Sequence, residues 1–358
     1  MFDSVTKSLL SAVTLLILWM QVAGPLIAQE TVSDDREADT ETKGPVDPRE
    51  FSPYFKGQWI GQGISYGPYR EGESPGGLQP TREELTEDLN LISQHWRIIR
   101  LYGSSEVAED VLDIIQVSEL PIRVMLGAWI TREAESDKVT PALSKSAKIS
   151  NRKEVMEAIR LANSYPDEVL AVSVGNETQV YWSDHLTETQ LLVRYIKTVR
   201  DATFVPVTTA DDFNFWNKPE SKPVANEVDF IVTHIHPMWA GLEAPNAMQW
   251  TERIFGEISE YHPDKTIVIG EAGWATQVHT EGEQAKLIKG TAGEKQQQHY
   301  YQQFTDWAGA KKVCTFFFEA FDEPWKGGPH PNEVEKHWGL FHVNRKPKAA
   351  LSPISISQ

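Results

Sequence analysis

The chain has 358 residues and only one cysteine, so it has no internal disulfide. Cys314 lies in an apolar run, and we predict a buried, inert thiol there. Basic residues are also scarce: 34 Lys and Arg against 51 Asp and Glu give a formal net charge of −17 at pH 7. This acidic excess argues against binding to nucleic acid, which needs a basic surface. It also disfavours polyanionic ligands and anionic membranes, whereas neutral ligands are compatible with it.

The only long hydrophobic run lies at the N-terminus. Lys7 precedes the apolar stretch 9–20, and small residues follow up to Ala28, as in a secretory signal peptide spanning residues 1–28. An uncleaved anchor is the alternative, although the stretch is short for a membrane span. Residues 29–50 are strongly acidic and lack aromatic side chains, which predicts a disordered linker. We therefore expect an exported protein with a single catalytic domain at 51–358.

From about residue 51, short runs rich in Val, Ile and Leu alternate with helical stretches such as 81–95, 152–165 and 188–201. The eight strand candidates are residues 60–66, 98–102, 122–126, 169–174, 205–209, 230–235, 267–269 and 313–318. Eight units of this kind predict an α/β fold, a closed (β/α)8 TIM barrel. The alternative, a doubly wound open sheet, would need a glycine-rich phosphate loop after its first strand, and the sequence has none.

Two of the predicted strands end in a glutamate. The fourth runs into Asn176 and Glu177, and the seventh runs into Glu271. Desolvating a carboxylate at the end of a buried strand costs several kcal/mol, so this placement does not favour stability. Barrel enzymes, however, keep their active sites at this rim. Two carboxylates there are the acid and the nucleophile that a retaining glycosidase requires.

The other strand ends carry further polar and aromatic side chains. Taken singly, Arg100 has an alternative explanation as part of a core salt bridge, and Tyr66 as a core aromatic with a satisfied hydroxyl. Taken together they predict a site in which Arg100 and a strand-six ring keep Glu271 ionised. Asn176 would hydrogen-bond a sugar hydroxyl. The remaining candidates for substrate binding are Tyr66, Tyr102, Trp129, Asp211, Trp239, Trp274 and Trp325.

A metal site is the competing interpretation of the sixth strand. His234 and His236 are two residues apart, so both rings lie on one face of the strand. The sequence shows no carboxylate-rich partner set for them, and we therefore expect neither a metal nor another cofactor.

These motifs resemble glycoside hydrolase family 17 of clan A. The matching segments are Gly-x-x-Tyr-Gly at 63–67, Ile-Arg-Leu-Tyr at 99–102, Val-Gly-Asn-Glu at 174–177, His-Pro at 236–237, Gly-Glu-x-Gly-Trp at 270–274, Phe-Asp-Glu-x-x-Lys at 321–326 and Gly-Leu-Phe at 339–341. The resemblance covers about residues 58–351. It implies retaining, endo-acting hydrolysis of β-1,3-glucans such as laminarin, with Glu177 as acid/base and Glu271 as nucleophile. It also implies supporting roles for Glu323 and Lys326.

One position departs from the plant members of the family. Where they have a strand-six Tyr, this chain has His236, so the hydrogen bond to Glu271 would come from an imidazole. Three other functions stay open: a β-1,3-glucanosyltransferase on the same site, another clan A β-glucanase, and a non-catalytic glucan-binding barrel. The last is disfavoured because both carboxylates are present. We expect a monomer that binds a neutral polysaccharide and neither nucleic acid nor a protein partner.

Overall fold

The computed structural model describes residues 48–133 and 141–352, which belong to one compact unit. The predicted signal segment and residues 29–47 of the predicted linker lie outside the described residues. Among the residues that the structure describes, no helix has both the length and the apolar character needed to cross a bilayer.

Eight parallel strands form a closed barrel, as the sequence predicts. A short antiparallel hairpin of β1 (Tyr54–Phe55) and β2 (Gln58–Trp59) precedes it. The barrel strands are β3 (Gln62–Ser65), β4 (Ile98–Arg100), β5 (Arg123–Ala128), β6 (Val169–Asn176), β7 (Val207–Asp212), β8 (Ile231–His234), β9 (Ile267–Ala272) and β10 (Thr315–Phe317). They pair in chain order, and β10 closes the barrel against β3.

Helices connect the strands. They are α1 (Arg82–His95), α2 (Ala108–Val117), α3 (Pro141–Ser164), α4 (Thr189–Ala202), α5 (Phe213–Trp216), α6 (Lys222–Ala225), α7 (Ala244–Tyr261), α8 (Gly282–Leu287) and α9 (Glu294–Lys311). The start of α1 shows how local sequence sets such a boundary. Thr81 caps the helix by accepting from the Glu84 amide, and the Glu84 carboxylate accepts from the Thr81 amide at 2.8 Å. This capping box fixes the helix start within one residue of the prediction.

The apolar residues divide into two layers. The barrel interior is filled by side chains that include Ile98, Met125, Val232, Phe316 and the buried thiol of Cys314. A larger cluster lies between the strands and the surrounding helices. The interior is therefore a packed core and not a pore, which leaves the strand ends as the place for a binding site.

The predicted boundary of the linker at residue 50 is wrong at its C-terminal end. The Arg49 amide donates to Asp229 Oδ1 at 2.8 Å, and its guanidinium donates to the backbone oxygens of Val205 and Arg200 at 2.8 and 2.5 Å. Nearby, Phe51 stacks on Phe230 with ring centroids 4.1 Å apart. The folded domain thus includes Arg49, because its hydrogen bonds join it to residues distant in sequence. The acidic composition of the neighbouring residues gave no sign of these contacts.

Strand pairing is irregular near the C-terminal ends of β6 and β8. The β6–β7 register shifts between Ser173 and Asn176, and the β8–β9 register shifts between Thr233 and His234. Glu177 itself has a φ of 50°, which is uncommon for a residue with a side chain. Bulges and unusual backbone angles of this kind re-aim side chains and are concentrated at functional sites.

Candidate active site

Glu177, which directly follows β6, and Glu271, which lies in β9, come together at the barrel rim. One carboxylate oxygen of Glu177 and one of Glu271 lie within 4.8 Å of each other. The Glu177 side chain is 28% exposed, whereas Glu271 is buried. Retaining glycosidases hold their carboxyl groups about 5–5.5 Å apart, and inverting enzymes about 6.5–9.5 Å apart to leave room for a water. This close approach of two oxygens is compatible with the shorter separation of a retaining site.

Both oxygens of Glu271 accept hydrogen bonds. Arg100 Nη1 and the Tyr102 hydroxyl donate to Oε1 at 2.7 and 2.9 Å, and His236 Nε2 lies 3.1 Å from Oε2. Burial alone would raise the pKa of Glu271. The charge of His234, the hydrogen bond from His236 and the Arg100 guanidinium together hold that pKa well below its usual range. Glu271 is thus kept ionised, as a nucleophile must be.

His236 is held by the same contact. Burial lowers the pKa of the imidazole, but the hydrogen bond and the charge of Glu271 outweigh it, so the pKa of His236 is raised above its usual value. The rings of Phe318 and Trp338 lie edge-on to His236, with centroids 5.5 and 5.4 Å away. These contacts fix the imidazole orientation, and the strand-six donor predicted from the sequence does reach Glu271.

His234 is a functional residue that the sequence analysis considered only as a metal ligand. Its buried ring places Nδ1 2.8 Å from Glu177 Oε1 and Nε2 3.4 Å from Glu271 Oε1. The imidazole therefore lies between the two carboxylates, with a hydrogen bond to Glu177 and a longer contact to Glu271. Its two-residue spacing from His236 was the available signal, because residues two apart in an extended segment share a face; β8 ends at His234, and His236 follows it.

The spacing of Glu177, His234 and Glu271 would also suit a metal ion. The Arg100 guanidinium, 2.7 Å from Glu271 Oε1, already supplies a cation there and would repel a second one. The expectation that the site needs no metal stays a prediction.

Asn176 is oriented by Arg100. Arg100 Nη2 donates to Asn176 Oδ1 at 2.5 Å, and this contact assigns the amide oxygen to the arginine side. The amide nitrogen is then left to donate elsewhere. Asn176 is half-buried beside Glu177, so a sugar hydroxyl at the catalytic pair is a suitable acceptor.

Lys326 joins two buried carboxylates on the segment after β10. Its Nζ lies 2.6 Å from Glu319 Oε2 and 2.7 Å from Glu323 Oε2. Burial lowers the pKa of Lys326, but the charges of Glu319 and Glu323 outweigh it and raise that pKa. A Cβ on Gly67 would lie 2.3 Å from Glu323 Oε1, so only glycine lets the end of β3 approach this carboxylate.

Three of the predicted aromatic platforms have accessible surface at the rim. Trp325 is exposed and donates from Nε1 to Glu323 Oε1 at 3.0 Å. Trp239 is half-buried and donates to Glu335 Oε1 at 3.2 Å, and Trp129 is half-buried after β5. Sugar binding by these rings stays a prediction.

Two other predicted binding residues belong to the core. Tyr66 is buried, with its hydroxyl donating to Asp88 Oδ2 at 3.2 Å. Trp274 is buried, with Nε1 donating to the Thr291 oxygen at 3.0 Å. Neither ring presents a face to a ligand, so the prediction that they contact substrate is wrong. For Tyr66, the core interpretation considered from the sequence is the one observed.

Asp211 is also buried and is not a direct binding residue. Its Oδ2 accepts from the Gln179 amide at 2.8 Å, and its Oδ1 accepts from the Asp212 amide at 2.9 Å. Asp211 therefore supports the segment that follows Glu177, because two backbone donors occupy its carboxylate.

The sequence analysis missed Glu335, which lies in the 3-10 turn Val334–Lys336. Burial raises the pKa of Glu335, and the negative charges of Glu271 and Glu177 add to that rise. Glu335, which accepts from Trp239 Nε1, is thus a further carboxylate whose ionisation is influenced by Glu271 and Glu177. No strand end or local spacing marks it, because a loop brings it there.

Comparisons with known proteins agree with this geometry. The model of the BtgE/BtgC glycoside hydrolase domain matches residues 63–339. A protein of Aspergillus clavatus named as a probable glucan endo-1,3-beta-glucosidase, btgC, is 28% identical over 76% of this chain and 39% of its own length. A glucan 1,3-beta-glucosidase of Arthroderma benhamiae is 26% identical over 76% of this chain and 86% of its own. The chain therefore spans well under half of the first relative and most of the second.

Two of the solved structures that share the fold are glycoside hydrolases of similar sequence. An endo-laminarinase from Formosa Hel1_33_131 matches with a TM-score of 0.69 and 25% identity, covering 81% of this chain and 85% of its own. A glycoside hydrolase family 17 beta-1,3-glucanosyltransferase from Rhizomucor miehei matches with a TM-score of 0.63 and 25% identity, covering 81% and 96%. The resemblance to family 17 drawn from the motifs is confirmed. With its family model matching more than half of the sequence, the chain belongs to the BtgE/BtgC glycoside hydrolase domain family.

Proposed function

We propose that this protein is a retaining, endo-acting hydrolase of β-1,3-glucosidic bonds in glucans such as laminarin. The observation that carries the proposal is the approach of Glu177 and Glu271 to within 4.8 Å, because a retaining mechanism needs both carboxylates on one anomeric centre. The names of the relatives and of the matched laminarinase support the β-1,3 linkage.

The reaction takes two steps. In the first, a Glu271 oxygen forms a bond to the anomeric carbon while the glycosidic bond breaks, and Glu177 gives its proton to the leaving oxygen. In the second, Glu177 is a carboxylate and takes a proton from water, whose oxygen attacks the anomeric carbon and releases Glu271. The negative charge thus moves from one glutamate to the other. His234 lies beside both carboxylates and is placed to stabilise either charge.

Transfer to a second sugar is the alternative on the same site. The match to the Rhizomucor miehei glucanosyltransferase favours considering it, because the same covalent intermediate serves both reactions. A sugar hydroxyl would replace water in the second step. Another glucan linkage is a weaker alternative, and a non-catalytic barrel is disfavoured by the intact and closely spaced carboxylates.

We also propose export of the chain, with removal of the segment before residue 29. The apolar stretch 9–20 supports it, and a polymeric glucan cannot cross a membrane to reach an enzyme inside the cell. Mass spectrometry of secreted protein should show a start near Gln29. Material with Met1 intact in the membrane fraction would contradict this. A monomeric state is likewise still a prediction.

Variants of the catalytic pair test the reaction. Glu271→Gln should reduce turnover to background, because an amide cannot attack the anomeric carbon. Glu177→Ala should lose about 10²–10⁴-fold, the usual contribution of general acid–base catalysis. Azide should rescue only the Glu177 variant, on a substrate with a good leaving group, and the product should be a β-glycosyl azide. An α-azide would contradict the retaining mechanism.

A panel of polymers tests the substrate. Laminarin should be cut to a ladder of oligosaccharides with little early glucose, whereas mixed-linkage and β-1,6 glucans should react more slowly. Glucose as the dominant first product would contradict endo action, and faster cleavage of a β-1,6 glucan would contradict the linkage.

A further inference from the structure

Two exposed aromatic side chains lie shortly after Glu177 in the chain. Tyr181 is 86% exposed and Trp182 is 48% exposed, on the loop 178–187 between β6 and α4. Large aromatic side chains are usually buried, and an exposed pair beside a catalytic rim indicates a surface that meets a ligand. The function proposed above gives this pair no role.

The loop 178–187 is rigidly held at its base. The Thr187 amide donates to the Thr178 oxygen at 2.9 Å, and the Gln179 side chain donates to the Thr187 oxygen at 3.0 Å. Val180 is buried beneath the loop, directly before the exposed pair. At the tip, the rings of Tyr181 and Trp182 meet edge to face, with centroids 4.9 Å apart and planes at 84°. The rings are therefore preorganised, which reduces the entropic cost of binding a ligand.

The loop is continuous with the catalytic centre. His185 on the same loop packs against Trp129, the residue after β5, with ring centroids 4.5 Å apart. Burial lowers the pKa of His185, and the charge of Glu177 acts against this. The charge of Glu177 thus acts on His185, which lies on the same loop as the exposed pair. The loop therefore connects the exposed pair to the rim that carries Glu177 and Trp129.

The position of the loop identifies which part of the substrate it faces. In the proposed mechanism Glu271 attacks the anomeric carbon, so the sugar that carries this carbon is expected on the side of β9 and of the neighbouring β10, which is followed by Trp325 and Lys326. Glu177 contacts the oxygen that leaves, and its strand β6 lies across the barrel beside β5. The loop 178–187 therefore lies on the leaving-group side.

We propose that Tyr181 and Trp182 form a carbohydrate-binding platform for the leaving-group segment of a β-glucan chain. β-Linked glucose carries its hydroxyls at the ring edge and presents apolar C–H faces, which pack on aromatic rings. A chain extending from the bond at Glu177 over the loop would meet these rings at glucose units beyond the first. The inference rests on the proposed function and assigns a distal subsite to it.

The platform has a consequence for the fate of the covalent intermediate. A glucan segment held there keeps a hydroxyl near Glu177, which takes its proton as the oxygen bonds to the anomeric carbon and the bond to Glu271 breaks. That segment competes with water. Weakening the platform should therefore lower the ratio of transfer to hydrolysis.

Binding to an inactive enzyme tests the platform apart from catalysis. In a Glu271→Gln background, calorimetry with laminarihexaose should show about tenfold weaker binding for Trp182→Ala and a clear loss for Tyr181→Ala, since removing an aromatic anchor costs more than about 1 kcal/mol. Phe204→Ala is the matched control. Phe204 is 96% exposed but precedes β7, at the other end of the barrel, and its removal should leave binding unchanged.

Kinetics of the active enzyme supply the second readout. Trp182→Ala and Tyr181→Ala should lower kcat/KM on laminarin about tenfold, mainly through KM, and leave an aryl β-laminaribioside within twofold, because its small leaving group ends before the platform. Thermal melting checks that each variant folds. An equal loss on both substrates would overturn the inference in favour of a structural role.

Two further outcomes would overturn it. Unchanged affinity for laminarihexaose in both variants would show that the rings do not bind sugar. A change in sedimentation coefficient without a change in sugar affinity would show that the pair is a contact between copies of this chain. Failure of the proposed function is distinguishable, because the parent Glu271→Gln protein would then bind no laminari-oligosaccharide at all.

Discussion

At the residue scale, the chemistry depends on how the protein divides two carboxyl groups between two protonation states. Glu271 accepts hydrogen bonds from Arg100, Tyr102 and His236. The charge of His234, the hydrogen bond from His236 and the charge of Arg100 hold its pKa well below the usual range. Glu177 has a histidine contact of its own, with His234 Nδ1 2.8 Å from its Oε1, but it is more exposed than Glu271. This difference in environment supports the proposal that Glu271 attacks the anomeric carbon and that Glu177 donates a proton.

His236→Asn tests this assignment through pH dependence. The raised pKa of His236 keeps the ring positively charged next to Glu271 in acid, and the charge lowers the pKa of Glu271. Asparagine keeps a hydrogen-bond donor but carries no charge, so the pKa of Glu271 should rise. The acid limb of kcat/KM, which requires ionised Glu271, should therefore move to higher pH. A limb that stays in place would show that His236 does not set the ionisation of Glu271.

At the element scale, the C-terminal strand ends bring the site together. The eight runs rich in Val, Ile and Leu were enough to predict every barrel strand, but the predicted bounds stopped at residues 174 and 269. In the structure β6 continues to Asn176 and β9 to Ala272. A bulge in each pairing carries the strand past the point where the apolar pattern ends, and a pattern of hydrophobicity contains no signal for a bulge.

Gly67→Ala tests the approach of β3 to the segment after β10. The added methyl would lie 2.3 Å from Glu323 Oε1 and displace that carboxylate from Lys326. A displacement of about 1 Å near a catalytic centre can cost about 10²-fold in rate, and kcat should fall by that order. Gly256→Ala is the control, since a Cβ there meets nothing within 4 Å. Unchanged kcat in Gly67→Ala would show that Glu323 does not position the reacting groups.

At the scale of the whole molecule, one end of the barrel carries the proposed active site and the other end carries contacts that stabilise the fold. The C-terminal end carries the carboxylates, and the N-terminal end carries a buried ion pair of Arg200 and Asp229 with Arg49 bound to both residues. Asp229 also accepts from the Val207 amide at 2.7 Å. Stability and catalysis should therefore respond to different substitutions.

Asp229→Ala tests that separation. It removes a carboxylate that is bonded to the buried Arg200 guanidinium, to the Arg49 amide and to the Val207 amide, and it should lower the free energy of unfolding by about 3–5 kcal/mol, measured by urea denaturation. The kcat should stay unchanged below the transition. Glu257→Ala removes an exposed helix pair with Arg253 and should cost less than about 0.5 kcal/mol. A fall in kcat that matches the fall in stability would contradict the separation of the two ends.

The sequence predicted the whole fold more completely than the site. Strand ends located Glu177, Glu271, Arg100 and His236, because a parallel barrel brings all such ends to one rim. The direction of a side chain at that rim was not predictable. Tyr66 and Trp274 turn into the core, and Glu335 arrives on a loop, since both depend on packing between segments distant in sequence.

The central claim is that Glu177 and Glu271 act on one anomeric centre by a retaining mechanism. The most direct test is ¹H NMR of the first products that the wild-type enzyme releases from a laminari-oligosaccharide. The new reducing end should appear first as the β-anomer, with the α-anomer growing only as mutarotation proceeds. An initial α-anomer would mean inversion and would contradict the account.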